Sequence, residues 1–204
     1  MIKLIGFPEA TVTIDMKGCI RMDRYSVDII HPDDFFAGQY NTTDIFIVTV
    51  MRELELRQQI MLELNVRGLP RETFIHSTSI VDPSANIESG TFIGPFASVF
   101  CQSHIGHDVI VGPYSMVSHK VRIGNGTLLH PGSMIAGTAS IGNNCTMGLR
   151  STVLDQVSVC DDVSIAGGAL VNKDITIPGC YVGSPARKIA REIDFLALDN
   201  LQVK

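Results

Sequence analysis

The chain has 204 residues, with 16 Lys and Arg against 21 Asp and Glu for a formal charge of -5. That balance excludes a protein built to hold a nucleic-acid backbone, because such binding rests on clustered cations. Hydrophobic residues at 45% and charged residues at 18% supply a core and exclude disorder, while the lack of Trp and only 6% aromatics mean that aliphatic and small side chains fill it.

Ile2 to Gly6 and Asp44 to Val50 read as short buried strands, and Arg52 to Val66 has helical spacing at Leu54, Leu56, Ile60, Leu62 and Leu64. Residues 1–70 are therefore expected to form a small α/β domain of degenerate Rossmann-like type. Arg67-Gly68-Leu69-Pro70 is a turn signal and a natural hinge. The five cysteines, Cys19, Cys101, Cys145, Cys160 and Cys180, form no C-x-x-C pair, which disfavours a disulfide framework or a zinc ribbon and fits a reducing compartment. The start Met1-Ile2-Lys3-Leu4 is no signal peptide, and the longest apolar run, Ile45 to Met51, is too short for a bilayer. A soluble cytoplasmic protein without membrane insertion is expected.

From Ile75, every sixth residue to Ile177 is aliphatic, eighteen positions in all. Chance gives such a run about once in a million trials, so the segment is a hexapeptide repeat. A second column, four residues after each of these from Ser79 to Ala169, admits nothing larger than Val. Glycine follows the aliphatic residue at Gly94, Gly106, Gly112, Gly124, Gly142 and Gly148, where a corner tolerates no side chain or needs unusual dihedrals. Three hexads close one triangular coil of 18 residues. Six coils at about 4.8 Å each give a prism about 29 Å tall, a mainly β parallel β-helix over residues 71–183 whose hand the spacing leaves open. Residues 184–204 form the remainder, where the apolar spacing after Val182-Gly183-Ser184-Pro185 predicts a short terminal helix over Ala186 to Leu198.

Residues 18 apart stack, so Cys101, His119, Gly137 and Asp155 form one column. A glycine directly beside His119 leaves an open slot and an approachable N–H. His130 lies in the column Gly112, His130, Gly148, Ala166 and also faces small residues. His104 and His107 lack a third ligand at a matching offset and read as surface corner residues, so no metal is expected.

The chain resembles the hexapeptide-repeat acyltransferases, and within them the NeuD/PglD-like sugar O- or N-acetyltransferases. The resemblance rests on Val117-Ser118-His119, Ile135-Ala136-Gly137, Met147-Gly148-Leu149-Arg150-Ser151, Ile165-Ala166-Gly167-Gly168-Ala169 and Tyr181-Val182-Gly183-Ser184-Pro185-Ala186. It implies a left-handed β-helix, a homotrimer with sites between subunits, and acetyl-CoA as co-substrate for a hydroxyl or amine of a sugar in surface-polysaccharide or glycan synthesis. It makes His119 the general base, sets Gly137 against the acyl carbonyl, and puts Leu149 and Gly167 against the coenzyme. An imidazole beside an open backbone donor is what acyl transfer from a thioester requires. Arg150, Arg187 and Lys188, with Lys173, cluster toward the last coils and are candidates for the coenzyme phosphates. Lys120 stands where the family often carries an acidic residue, so either another carboxylate supplies that role, from across a subunit boundary for example, or the acceptor needs only a weaker base. The family's glycine-rich phosphate loop is replaced by Gly6-Phe7-Pro8-Glu9-Ala10-Thr11, with one glycine, a proline and a carboxylate, which predicts weak or no binding of UDP-sugars by this domain. Two other readings of the scaffold are a metal-dependent γ-carbonic-anhydrase-like enzyme and a non-catalytic assembly or binding subunit.

Overall fold

In the computed structural model, which describes residues 1–6, 27–41, 43–50 and 53–189, the chain from Phe74 repeats one step: a two-residue strand, then a four-residue corner. The strands stack in three parallel sheets. Face I begins with Phe74–Ile75 and continues through Phe92–Ile93, Ile110–Val111, Leu128–Leu129, Thr146–Met147 and Val163–Ile165 to Gly179–Val182. Face II runs from Ile80–Val81 through Met116–Val117 and Met134–Ile135 to Leu170–Val171, and face III from Asn86–Ile87 through Arg122–Ile123 to Ser158–Val159. The pairing register is the sequence period, with Ile93 beside Val111, Val117 beside Ile135 and Ile123 beside Ile141. The sequence reading of a mainly β solenoid therefore holds.

The second residue of each strand points inward, and the row from Ile93 to Val171 forms one continuous buried cluster. The small second column closes the corners from inside. Most of its hydroxyls are accommodated by a carbonyl: Thr91 Oγ1 donates to Gly106 O at 2.8 Å, Ser103 Oγ to Ser118 O at 2.7 Å and Thr127 Oγ1 to Gly142 O at 2.8 Å, whereas buried Ser151 Oγ has no partner among the described residues.

The corner glycines have a different job from the one that unusual dihedrals would give them. None of the six has a positive φ; a Cβ on Gly112 would sit 2.6 Å from Leu129 O, and one on Gly148 2.5 Å from Gly167 N. Their role is close packing of successive coils. The left-handed conformation falls two residues later, at every sixth position from Gly90 to Gly168, and ten of these carry a side chain, among them Tyr114, Lys120, Thr138 and Arg150.

The period fails once. Ile177, the eighteenth aliphatic position, is exposed, and Ile175 instead bridges Val159. Val163 pairs with Gly179 and Ile165 with Tyr181, so the last coil holds 16 residues. Beyond it Arg187–Lys188 pairs antiparallel with Gly179–Val182, which replaces the start of the terminal helix expected from Ala186; residues 190–204 lie outside the described set.

The N-terminal part contributes β1 (Ile2–Ile5), β2 (Val27–Ile30), α1 (Pro32–Ala37), β3 (Ile45–Val48) and α2 (Leu54–Val66). The parallel sheet has the order β2-β1-β3. Alternation gives it two apolar faces. Ile2, Leu4 and Ile47 pack on Phe92, Ile110 and Leu128, the outward residues of face I. Ile5, Phe46 and Val48 pack on Phe35 of α1 and Ile60 and Leu64 of α2. The helix stripe differs from the leucine spacing, because Arg57 is buried while Leu62 is exposed. Arg57 Nη1 donates to Val48 O at 2.8 Å and Val50 O at 3.1 Å, and Nη2 donates to the carbonyl of Asp108 in the solenoid.

Candidate active site

His119 lies on the corner between faces II and III, fixed by the strand Met116–Val117 before it and by Lys120 N–H donating to Cys101 O at 2.9 Å. Its imidazole is exposed and rests on the next coil, so a Cβ on Gly137 would be 2.6 Å from Nε2 and 2.7 Å from Cε1. The two residues that the sequence sets side by side are thus in contact. Gly137 O accepts from Gln156 N–H at 3.0 Å, while among the described residues its own N–H has no acceptor. Thr138 beside it holds φ 58 and donates Oγ1 to Gly137 O at 2.6 Å, which pins this peptide. An accessible imidazole over an unengaged backbone donor is an arrangement that can take a proton and steady an oxyanion. No carboxylate among the described residues bonds to His119; Asp155, two coils on in the same column, is exposed.

The coenzyme candidates sit elsewhere. Leu149 and Gly167 stack on the corner between faces I and II, where a Cβ on Gly167 would be 3.2 Å from Leu149 O. Arg150 follows Leu149 on the same edge, and His130 is on that edge as well. Within one chain, face II separates this edge from His119 and Gly137. The four candidate cations divide further. Lys173, Arg187 and Lys188 line one cavity of about 360 Å³ with Tyr181 at the end of the solenoid, and Arg150 is not among its residues.

His104 Nδ1 and His107 Nδ1 are 3.0 Å from Asn86 Nδ2 and Ser89 Oγ, each within its own polar pair. Among the described residues no three metal-ligating side chains converge, and no helix is long and apolar enough to cross a membrane. The Gly6 to Thr11 segment lies, after Gly6, outside the described residues.

Two groupings escape the sequence reading. Phe96 and Tyr114 stack on the corner between faces I and II with ring centroids 5.0 Å apart; their 18-residue separation was the available signal. Buried Asp108 takes Arg71 Nη1 at 2.5 Å and supplies its carbonyl to Arg57, joining α2 to the solenoid. Burial pushes the Asp108 carboxyl up against the pull of Arg71, Arg57 and His107, and draws Arg57 down to about 10 against the pull of Asp108. An arginine on a helix reads as solvated, so no local pattern marked it.

The model of the bacterial transferase hexapeptide (six repeats) matches residues 102–137, the two coils that hold both His119 and Gly137. This solenoid is a hexapeptide-repeat β-helix. Among solved structures, a mutant of GDP-perosamine N-acetyl transferase from Caulobacter crescentus in complex with CoA and GDP-perosamine superposes with a TM-score of 0.78 at 21% identity, over 93% of this chain and 97% of that one. The acetyltransferase domain of PglB from Neisseria gonorrhoeae, in complex with acetyl coenzyme A, gives 0.78 at 21% over 92% and 98%. WeeI from Acinetobacter baumannii gives 0.55 at 13% over 93% and 99%. The shared fold is a left-handed β-helix, so the hexapeptide-repeat coil departs from the right-handed rule for parallel crossovers.

Proposed function

We propose that the protein is an acetyl-CoA-dependent acetyltransferase acting on an amine or hydroxyl of a sugar in glycan assembly, with His119 as general base. The observation that carries this reading is the imidazole of His119 seated over Gly137. His119 removes a proton as the acceptor's nitrogen or oxygen attacks the thioester carbonyl, and the Gly137 N–H steadies the resulting oxyanion. The intermediate collapses with cleavage of the C–S bond, and the imidazolium returns its proton to the departing CoA thiolate. The sugar N-acetyltransferase with CoA bound and the acetyltransferase domain with acetyl coenzyme A lend support as proteins of similar fold.

The reading includes a homotrimer. Among the described residues face II is the apolar face that nothing covers, with Ile80 66% and Met134 44% exposed and Phe100, Leu149 and Leu154 exposed on its edges. A threefold axis parallel to the solenoid, with face II turned toward it, sets the His119 edge of one subunit beside the Leu149 edge of the next at equal height. One groove between subunits then unites the residues that a single chain keeps apart, with Leu149, Arg150 and Gly167 along the coenzyme and Arg187 and Lys188 near its phosphates. The reading also divides the chain near residue 70 and assigns a cytoplasmic setting, which suits the free thiols of Cys101 and Cys160.

The test is a screen of sugar amines and alcohols with acetyl-CoA, read by release of the CoA thiol. With the best acceptor, His119→Ala is expected to reduce kcat by about a hundredfold or more while the melting temperature stays unchanged, since the side chain is exposed. Equal turnover in the variant removes His119 from the mechanism. A wild-type protein that neither turns over nor gains thermal stability from acetyl-CoA defeats the acetyltransferase reading.

A further inference from the structure

We propose that the corner between faces I and II carries a slot for a nucleobase at the level of Gly132, with Tyr114 as its floor and Arg150 as its roof. The left-handed positions of this corner form one column, Phe96, Tyr114, Gly132, Arg150 and Gly168, one residue per coil. Phe96 and Tyr114 stack nearly parallel, 16° apart with centroids at 5.0 Å, so their rings ascend the column at the spacing of the coils. Phe96 covers one face of Tyr114. The other face looks up the column to Gly132, which has no side chain of its own; the Arg150 stem leans onto the inner part of this rung, its Cγ 3.2 Å from where a Gly132 Cβ would be, and leaves the outer part, beyond the stem, for a ring.

In the single chain both rings are largely in solvent, Phe96 53% and Tyr114 67% exposed, and in the proposed trimer this edge lines the groove between subunits. Each is also held at φ 58, a conformation that bulky residues rarely adopt. Arg150 is exposed and forms no ion pair among the described residues. Tyr114 and Arg150 start two coils apart, about 9.6 Å, so a flat ring entering at Gly132 lies about 4.8 Å from each starting level. That distance suits offset stacking on the phenol below and cation–π contact with the guanidinium above. The ring would be the third rung of a ladder that the protein begins and then interrupts.

The chemistry selects the occupant. A guanidinium on one side and a phenol on the other reward a planar, electron-rich ring, and the remaining guanidinium N–H groups can reach a phosphate attached to it. A puckered sugar ring offers no π face for the guanidinium to cover and stacks on the phenol alone, with only hydrogen bonds left for the arginine. The ligand class is therefore the base of a nucleotide, which two sources can supply: the adenine of CoA, or the base of a nucleotide-linked sugar. The slot stands on the ladder geometry and does not depend on acetyl transfer.

The experiment is calorimetric titration of the full-length protein with CoA, UDP and GDP, and with pantetheine as the baseless counterpart of CoA. It is run on the wild type, Tyr114→Ala and Gly132→Phe, with light scattering and thermal melting of each. Gly132→Phe fills the empty rung with the protein's own ring, and Tyr114→Ala removes an exposed floor without touching the core. At least one nucleotide should bind the wild type and lose tenfold or more in affinity in both variants, with assembly unchanged, the melting temperature unchanged in Tyr114→Ala and lowered by the positive φ of this position in Gly132→Phe, and pantetheine unaffected. Whether CoA or a nucleoside diphosphate shows that loss names the source. Equal affinities in all three proteins overturn the slot, as does a wild type that binds none of the nucleotides. A loss seen only together with altered assembly overturns it too and assigns the ring pair to a subunit contact. CoA release with sugar acceptors alongside unaltered nucleotide affinities would remove the slot and leave the acetyltransferase reading in place.

Discussion

A methyl group on Gly137 would stand 2.6 Å from His119 Nε2, well inside van der Waals contact. What it meets is the free end of an exposed side chain, which can rotate away at little energetic cost. Gly137→Ala is accordingly expected to displace the imidazole, lowering kcat about tenfold or more in the CoA-release assay with a melting temperature close to wild type. Gly148→Ala should do the reverse, because its Cβ would press on Gly167 N at 2.5 Å and backbone cannot swing aside. Equal melting of the two variants would show that corner packing does not distinguish them. Asp108 supplies a pH test. Its carboxyl is raised by burial, so it binds protons more tightly folded than unfolded, and its stabilising contribution is present in acid and lost as pH rises through the folded pKa. The stability advantage of wild type over Asp108→Asn should be largest near pH 4 and shrink toward pH 7. A gap that widens with pH would mean that the Arg71 pair outweighs burial.

The strands of face I do two jobs at once, filling the prism with their second residues and seating the N-terminal sheet with their first. Ile110 is buried against Leu4 and its neighbours in the cluster joining the two parts. Ile110→Asp puts an unpaired carboxylate there, at a cost of several kcal/mol, and is expected to loosen the N-terminal part while the inward row stays intact. Faster tryptic cleavage near Arg67 or Arg71, with the strand signal in circular dichroism retained, is the expected result; an unchanged digestion pattern would show that this contact does not hold the parts together. The same strands show how far the sequence could be read. Seventeen of the eighteen aliphatic positions follow the coil period, and the pairing of His119 with Gly137 comes directly from it, because a repeat turns spacing into position. The outward column Phe74, Phe92, Ile110, Leu128 has the same 18-residue step and turns polar at Thr146 and Ser164, a legible sign of what face I carries and how far it is covered. Arg57 was not legible, since its partners are carbonyls brought near only by tertiary folding. Ile177 was not legible either, because two missing residues alter the last coil without altering the alternation.

On the scale of the whole molecule, the covered face I and polar face III leave face II for self-association. Met134→Glu places a carboxylate at the centre of that face and, in a trimer, three of them around one axis. Light scattering at micromolar concentration is expected to show a trimer for the wild type and a monomer for the variant, with unchanged circular dichroism; a monomeric wild type would remove the proposed groove. The shortened last coil bears on a different hazard. A coil that kept 18 residues to its end would present upper strand edges matching the lower edges of the first coil, and chains added head to tail would propagate one endless screw. Loss of two residues, followed by a reversed strand at Arg187–Lys188, breaks that helical symmetry at one end. An object that could have grown as a fibre is thereby kept finite.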